Sequence, residues 1–216
     1  MAFPQNKKDL DILEERGYWK ASSFLSNTVH KLIRKNLPFE LGYVKQAHKI
    51  TFDAANQSGI AGKYRRDNPE LKRIDGSLLV ITHWHNVPNE MAKLDTEVRL
   101  ATRGLRKVRT KGQYRNIIEK AARLSHRLAC IHPFENGNGR ASRLLLNAIL
   151  MRAGLHEVAI KVDKDRYLRS MRQADDGDFS MLKKIILESL VENEKKLYKL
   201  VKRKQAEQGK HKKCRS

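Results

Sequence analysis

The chain has 216 residues, a formal net charge of +21 and a pI near 10.1, with 40% hydrophobic residues. That length suits one domain with a genuine core and appended ends. No apolar run approaches membrane-spanning length, and Met1-Ala2-Phe3-Pro4 opens no signal-peptide core, so neither a membrane span nor a leader is expected. Cys130 and Cys214 have neither the number nor the spacing of a disulfide framework or a zinc site, which points to a reducing, cytoplasmic setting.

In chain order, helix-spaced apolar positions predict helices over 20–35 and 40–56, the second broken by Gln57-Ser58-Gly59. Leu78-Leu79-Val80-Ile81 reads as a short, solitary strand. Helical spacing resumes from Met91 to Leu100 after Pro88-Asn89, and again from Gln113 to Ile131. Gly139–Ala153 reads as a helix whose Leu144-Leu145-Leu146 and Ala148-Ile149-Leu150 are apolar nearly all round, marking it as centrally buried and ending at a left-handed Gly154. Helices over Lys164–Ala174 and Phe179–Lys202 complete an all-α bundle, with disorder expected beyond Gln205. The organisation expected is an N-terminal helical extension over 1–39, a main helical domain over 40–192, and a basic helix end and disordered tail over 193–216.

The chemistry concentrates in His132-Pro133-Phe134-Glu135-Asn136-Gly137-Asn138-Gly139-Arg140-Ala141-Ser142-Arg143. Gly137 and Gly139 flank Asn138, so the backbone can curl and turn several N–H groups toward an anion. The helix that follows favours negative charge at its start. Arg140 and Arg143 lie on neighbouring positions of one helical face, and forked guanidiniums match phosphate oxygens. His132, with an ordinary pKa near 6.5, suits a general base at neutral pH. Phe134 is an aromatic anchor for the loop carrying His132.

These residues resemble the signature of the Fic family, His-x-Phe-x-(Asp/Glu)-Gly-Asn-Gly-Arg-x-x-Arg, at every position but one. Gly62-Lys63-Tyr64-Arg65 resembles the turn that precedes the family's flap, His83 to Pro88 the flap and its exit, and Tyr167 to Asp178 a later family segment. The resemblance covers about residues 40–190. It implies a Fic-type helical bundle with a small β-hairpin flap, and transfer of AMP from ATP to a Ser, Thr or Tyr hydroxyl of a target protein, with pyrophosphate leaving. His132 would then take the hydroxyl proton. Gly137, Asn138 and Gly139 would hold the α- and β-phosphates, and Arg140 and Arg143 the outer ones. The flap residues Leu79, Val80, Ile81, Thr82 and His83 would pair with the target backbone.

The one departure is Asn136, where the family carries Asp or Glu to hold Mg2+. An amide oxygen coordinates a hard cation without contributing charge. Weaker magnesium dependence, a different phosphate donor and reduced activity all stay open at this point, with a working transferase ranked first. Many members of the family also carry Ser/Thr-x-x-x-Glu-Gly/Asn, whose glutamate pairs with the second motif arginine. Ser189-Leu190-Val191-Glu192-Asn193 is one residue short of it. Glu192 is therefore the candidate inhibitory residue, with an ordinary surface carboxylate the favoured reading; otherwise restraint would come from a small antitoxin protein or not at all.

Positive charge is concentrated in Thr102–Arg127, with nine Lys/Arg against one Glu, and in Lys195–Ser216, with ten against Glu207. It fits an acidic partner, nucleic acid, steering of ATP, or simply a solvated surface. Positive tails also serve as export signals in Fic-bearing effectors, so secretion into a host cell stands beside a cytoplasmic location. His83 and His85 share a face of the expected strand and make a weak metal pair. His48 and His126 read as partly buried polar residues, and Cys130 as a small core residue. Two alternatives to AMP transfer remain. One is Doc-like phosphorylation, which retention of Gly137 and Arg143 disfavours; the other is a catalytically weak basic nucleic-acid-binding module.

Overall fold

The computed structural model describes residues 7–73, 76–160 and 162–213, with side chains described to residue 205. The helices are α1 (Lys7–Lys35), α2 (Leu41–Asp53), α3 (Val87–Thr102), α4 (Lys111–Ile131), α5 (Asn138–Arg152), α6 (Lys164–Asp175) and α7 (Ser180–Lys213), with a 3-10 turn at Trp84–Asn86 before α3. Among the described residues there is no sheet, and the fold is the all-α bundle expected.

α5 lies at the centre. Leu145, Ala148, Ile149 and Leu150 are fully buried, and α1, α2 and α4 all pack on it. Its last residue, Arg152, is 2% exposed and places a guanidinium in the core. The side chain donates to Leu37 O at 2.7 Å and 3.2 Å and to Leu105 O at 3.1 Å. It thereby satisfies carbonyls of two loops that helices leave unpaired. Gly154 takes φ +76° as expected, and a Cβ there would sit 2.7 Å from Lys107 Cγ.

α1 begins at Lys7, well before the start expected near residue 20. Its buried seam runs Glu14, Gly17, Ala21, Leu25, Val29 and Leu32, a helical period whose first two members are not apolar. Gly17 permits the helix to lie against α2, since a Cβ there would fall 2.3 Å from Thr51 O. α4 starts at Lys111 because Thr110 and Gln113 form a reciprocal capping box. α7 continues as helix to Lys213, past Gln205 where disorder is expected from sequence; residues 214–216 lie outside the described residues.

The flap differs from expectation. The strand expected at Leu78–Ile81 is not formed. One antiparallel bridge joins Lys72 and Leu78, with Leu79 N–H bonded to Leu71 O at 2.7 Å. Leu78 and Val80 are exposed at 57% and 83%. A two-stranded ribbon with so little covered surface has weak pairing of its own. His83 and His85 consequently do not share a strand face; they flank Trp84 at the 3-10 turn and stack with ring centroids 5.4 Å apart.

Candidate active site

α4 delivers His132 and α5 receives the chain six residues later, so the motif is one tight loop between two core helices. His132 is the C-cap of α4, in left-handed backbone at φ 51°, ψ 58°. That turn swings the chain out of the helix axis and leaves the imidazole half-buried beside the loop. Burial, and then the Arg65 charge, depress its pKa against a hydrogen bond to the Ala129 backbone, so the ring is neutral at pH 7.

Arg65 braces this position. It is 4% exposed, and its Nε donates to His132 O at 2.6 Å while its own N–H donates to Pro133 O at 2.9 Å. Its Nη2 reaches Thr82 O. One buried guanidinium thus ties the His132 loop to the flap.

Phe134 anchors the loop as expected: it is fully buried and stacks on His48 at 3.8 Å with 13° between planes. His48 Nε2–H donates to Asn136 O at 2.9 Å, and Nδ1 accepts Gly62 N–H at 3.0 Å. These bonds assign the neutral tautomer, in keeping with a pKa lowered to about 4, chiefly by burial. His48 is thus a strut under the loop, a role its sequence position alone does not reveal.

Gly137 is the N-cap of α5 at φ 81°, where a Cβ would sit 2.6 Å from Phe52 Cε2. Among the described residues no side chain caps this end of α5. The first N–H groups of the helix therefore remain available to an anion, with the helix dipole behind them. Asn138 departs from expectation. Its amide accepts Phe134 N–H at 2.9 Å and donates to Phe134 O at 2.7 Å, and the residue is buried. The side chain closes the loop, so only its main chain can face a phosphate. A Cβ added at Gly139 would meet Arg143 Nη1 at 3.5 Å, so this face of the residue is open to close approach. Asn136 is exposed, and its Oδ1 accepts Gly137 N–H at 2.7 Å.

Arg140 and Arg143 line a 330 Å³ cavity with Asp11, Glu14, Glu15 and Tyr18 of α1. Arg140 Nη2 pairs with Glu14 Oε2 at 2.5 Å, its guanidinium lying over the Phe52 ring. Gln57 Nε2 holds the other Glu14 oxygen at 3.0 Å. Tyr18 hydrogen-bonds Arg143, although burial still raises the phenol pKa. The carboxylate that pairs with a motif arginine thus comes from α1, and it meets the first, Arg140, where the resemblance implies the second, Arg143. Glu192 is not that residue: it lies exposed on α7 and pairs with Lys196.

A second, larger cleft of about 840 Å³ borders the loop at Glu135, lined by Lys45, Tyr64, Arg66, Trp84 and His85 among others. Leu79 and Ile81 are half-buried, Val80 and His83 exposed, and Thr82 is held through its carbonyl by Arg65. The five flap residues thus lie on one segment tied to the His132 loop.

Comparison with known proteins agrees with this architecture. A 62-residue stretch is 52% identical to the protein adenylyltransferase Fic of Nematostella vectensis, covering 28% of this chain and 14% of that protein. A probable protein adenylyltransferase of Aquifex aeolicus is 36% identical over 70 residues, 32% of this chain and 22% of the relative. The chain thus matches less than a quarter of the length of these curated relatives. Among solved structures, a Fic-domain signalling protein of Bacteroides thetaiotaomicron superposes with TM-score 0.70 at 22% identity, over 89% of this chain and 72% of that one. The BepC effector of Bartonella tribocorum, solved with AMPPNP, gives 0.59 at 19% identity over 86% and 88%. The Fic/DOC family model matches residues 38–150, which run from the start of α2 through the loop and most of α5. With more than half of the chain matched, and the motif loop set between the two helices that the match spans, this protein belongs to the Fic/DOC family.

Proposed function

We propose that this chain is a protein adenylyltransferase, moving AMP from ATP to a hydroxyl of a target protein and releasing pyrophosphate. The observation that carries the reading is the uncapped start of α5 behind Gly137, with Arg140 and Arg143 on the same helix and the half-buried His132 imidazole at the loop's other end. Names of the relatives point the same way.

In this reading the α5 N–H groups receive phosphate oxygens. Arg140 and Arg143 hold the outer phosphates and counter the charge that grows on the leaving pyrophosphate. His132 accepts the proton of the attacking hydroxyl as the oxygen–phosphorus bond forms and the bond to pyrophosphate breaks. Arg65, through His132 O and Thr82 O, keeps the base and the target-docking flap in fixed relation. Alignment of nucleophile and phosphorus, together with stabilisation of the growing charge, is where such an enzyme gains its rate.

Asn136 fits Mg2+ as a single neutral ligand, because its exposed Oδ1 keeps a second lone pair beyond the Gly137 N–H bond. The ion would neutralise phosphate charge, held weakly by this chain. Glu14 restrains the site from within, since Arg140 must leave the carboxylate before it can meet a phosphate. Restraint in cis takes the place that an antitoxin partner would otherwise fill. No described helix is long and apolar enough to cross a membrane. Action in a cytoplasm, the chain's own or that of a host, fits the basic surface equally.

The test is incubation with ATP labelled at the α-phosphate and, separately, at the γ-phosphate. Transfer of the α-label to protein by wild type and not by His132→Ala supports the reading. Transfer of the γ-label would establish phosphorylation instead. Salt-sensitive nucleic-acid binding, untouched by His132→Ala and without any label transfer, would leave a binding module.

A further inference from the structure

Outside the nucleotide site, His126, Cys130 and Asp175 bring an imidazole, a thiol and a carboxylate together within 4.8 Å of one another. His126 and Cys130 are one turn apart on α4, and Asp175 closes α6. From this triad we infer a binding site for one zinc-class divalent transition metal ion, with a fourth position left to water.

The geometry is specific. Nε2 of His126 lies 3.5 Å from Cys130 Sγ and 3.0 Å from Asp175 Oδ1, and Sγ lies 3.6 Å from the same oxygen. Zinc–sulfur bonds of ~2.3 Å and zinc–nitrogen or –oxygen bonds of ~2.0–2.1 Å place tetrahedral ligands roughly 3.3–3.6 Å apart. Two edges already match, and the third is shorter because a hydrogen bond now spans it. The donors form one face of a tetrahedron.

Their chemistry selects the ion. Thiolate and imidazole suit Zn2+ and its neighbours, whereas Mg2+ and Ca2+ demand oxygen. Asp175 is already oriented as a ligand, because Arg73 binds its Oδ2 at 2.9 Å and leaves Oδ1 facing the other two donors. The Phe179 ring meets His126 edge-on at 5.4 Å and covers one side. His126 Nε2–H donates to Asp175 Oδ1 and to Met171 O at 3.2 Å. Burial and the Asp175 charge push the Cys130 thiol up to about 12, so Sγ keeps its proton until a cation displaces it. Metal entry moves the imidazole proton to Nδ1, releases the thiol proton to solvent, and forms three protein bonds to the ion.

The position has a consequence for the active site. Cys130 precedes His132 by two residues, and Arg73 belongs to the turn leading into the flap. An ion here would join the end of α4 to α6 and, through Asp175 and Arg73, to the flap. Sequence spacing hides the site, because Asp175 lies on a different helix from the other two.

The experiment titrates tag-free, full-length protein with Co2+, reading the thiolate-to-cobalt charge-transfer band, and then displaces it with Zn2+. One ion per chain is expected, with the band intact in Cys214→Ser and in His132→Ala. Cys130→Ser should abolish the band and weaken Co2+ by more than the ~10–100-fold typical of losing an outer-sphere partner. Asp175→Asn should retain the band at reduced affinity. Far-ultraviolet circular dichroism of each variant verifies the helices. No charge-transfer band in wild type, or an unchanged band in folded Cys130→Ser, would overturn the inference, as would loss of the band in Cys214→Ser alone.

Discussion

Glu14 of α1 and Arg140 of α5 form a 2.5 Å ion pair inside the cavity where the motif arginines converge. The pair is well covered, with side-chain exposures of 8% for Glu14 and 23% for Arg140, so under the proposed function it would compete with phosphate for the guanidinium. Tyr18, one turn along α1, engages Arg143. Both motif arginines therefore rest against the same helix.

Glu14→Gln should release Arg140 and raise nucleotide affinity and labelling. A hydrogen bond to a charged group is worth about 1.5–3 kcal/mol, which corresponds to roughly 10–150-fold. Calorimetric titration with a non-hydrolysable ATP analogue would read the change. Unchanged affinity would show that the pair does not restrain the site.

Gly17→Ala should act through the same helix by another route. A methyl group 2.3 Å from Thr51 O must push α1 away from α2, carrying Glu14 and Tyr18 with it. Reduced thermal stability together with increased labelling is the expected signature. Loss of stability with no gain in labelling would separate α1 packing from restraint.

Gly137→Ala should fail at the phosphate cradle. Left-handed backbone strains an alanine, and its Cβ would overlap Phe52. Such strain costs on the order of 1–3 kcal/mol. Denaturant unfolding should reveal that cost, and ATP-analogue binding should disappear; retained binding would contradict a cradle formed by this turn.

His48 makes stability depend on pH. Its folded pKa of about 4 lies below the ordinary 6.5, so the native state binds fewer protons than the unfolded chain. Stability is then full above about 6.5 and falls as pH drops toward 4, by about 3 kcal/mol. Urea midpoints followed from about pH 7.5 down to about pH 4 should fall in wild type and flatten in His48→Gln. His132 shifts in the same direction, so the acid limb of the labelling rate should lie below the ordinary imidazole pKa.

Asn136→Asp should increase labelling at limiting Mg2+, because a carboxylate adds charge at the weakest ligand. A magnesium titration of both proteins would show the half-saturating concentration falling. No change would mean that the ion is held by phosphates alone.

The motif loop was legible because its constraints are local. Gly137 must be left-handed, Phe134 must be buried, and Arg140 and Arg143 must share a helical face, and each demand acts within a turn or two of chain. The helices from α2 onward were legible for the same reason, through apolar periodicity and caps. Glu14 was hidden because Leu10 stands where a Ser or Thr would begin the inhibitory pattern and Glu15 where Gly or Asn would follow it. Alternation at Leu79 and Ile81 reads as a strand, but it cannot supply a partner strand, and one bridge between Lys72 and Leu78 forms in its place.

What the amino-acid order determined by itself is the kind of protein: an all-α Fic/DOC chain with His132, Gly137, Arg140 and Arg143 gathered in one loop and the first two turns of α5. Tertiary structure decided which distant groups meet those residues: His48 from α2 and Arg65 ahead of the flap at the loop, Glu14 and Tyr18 from α1 at the α5 arginines. It also set Asp175 of α6 beside His126 and Cys130. Local periodicity records which face of a helix is buried, but not which other helix it is buried against; that depends on packing the whole bundle around α5.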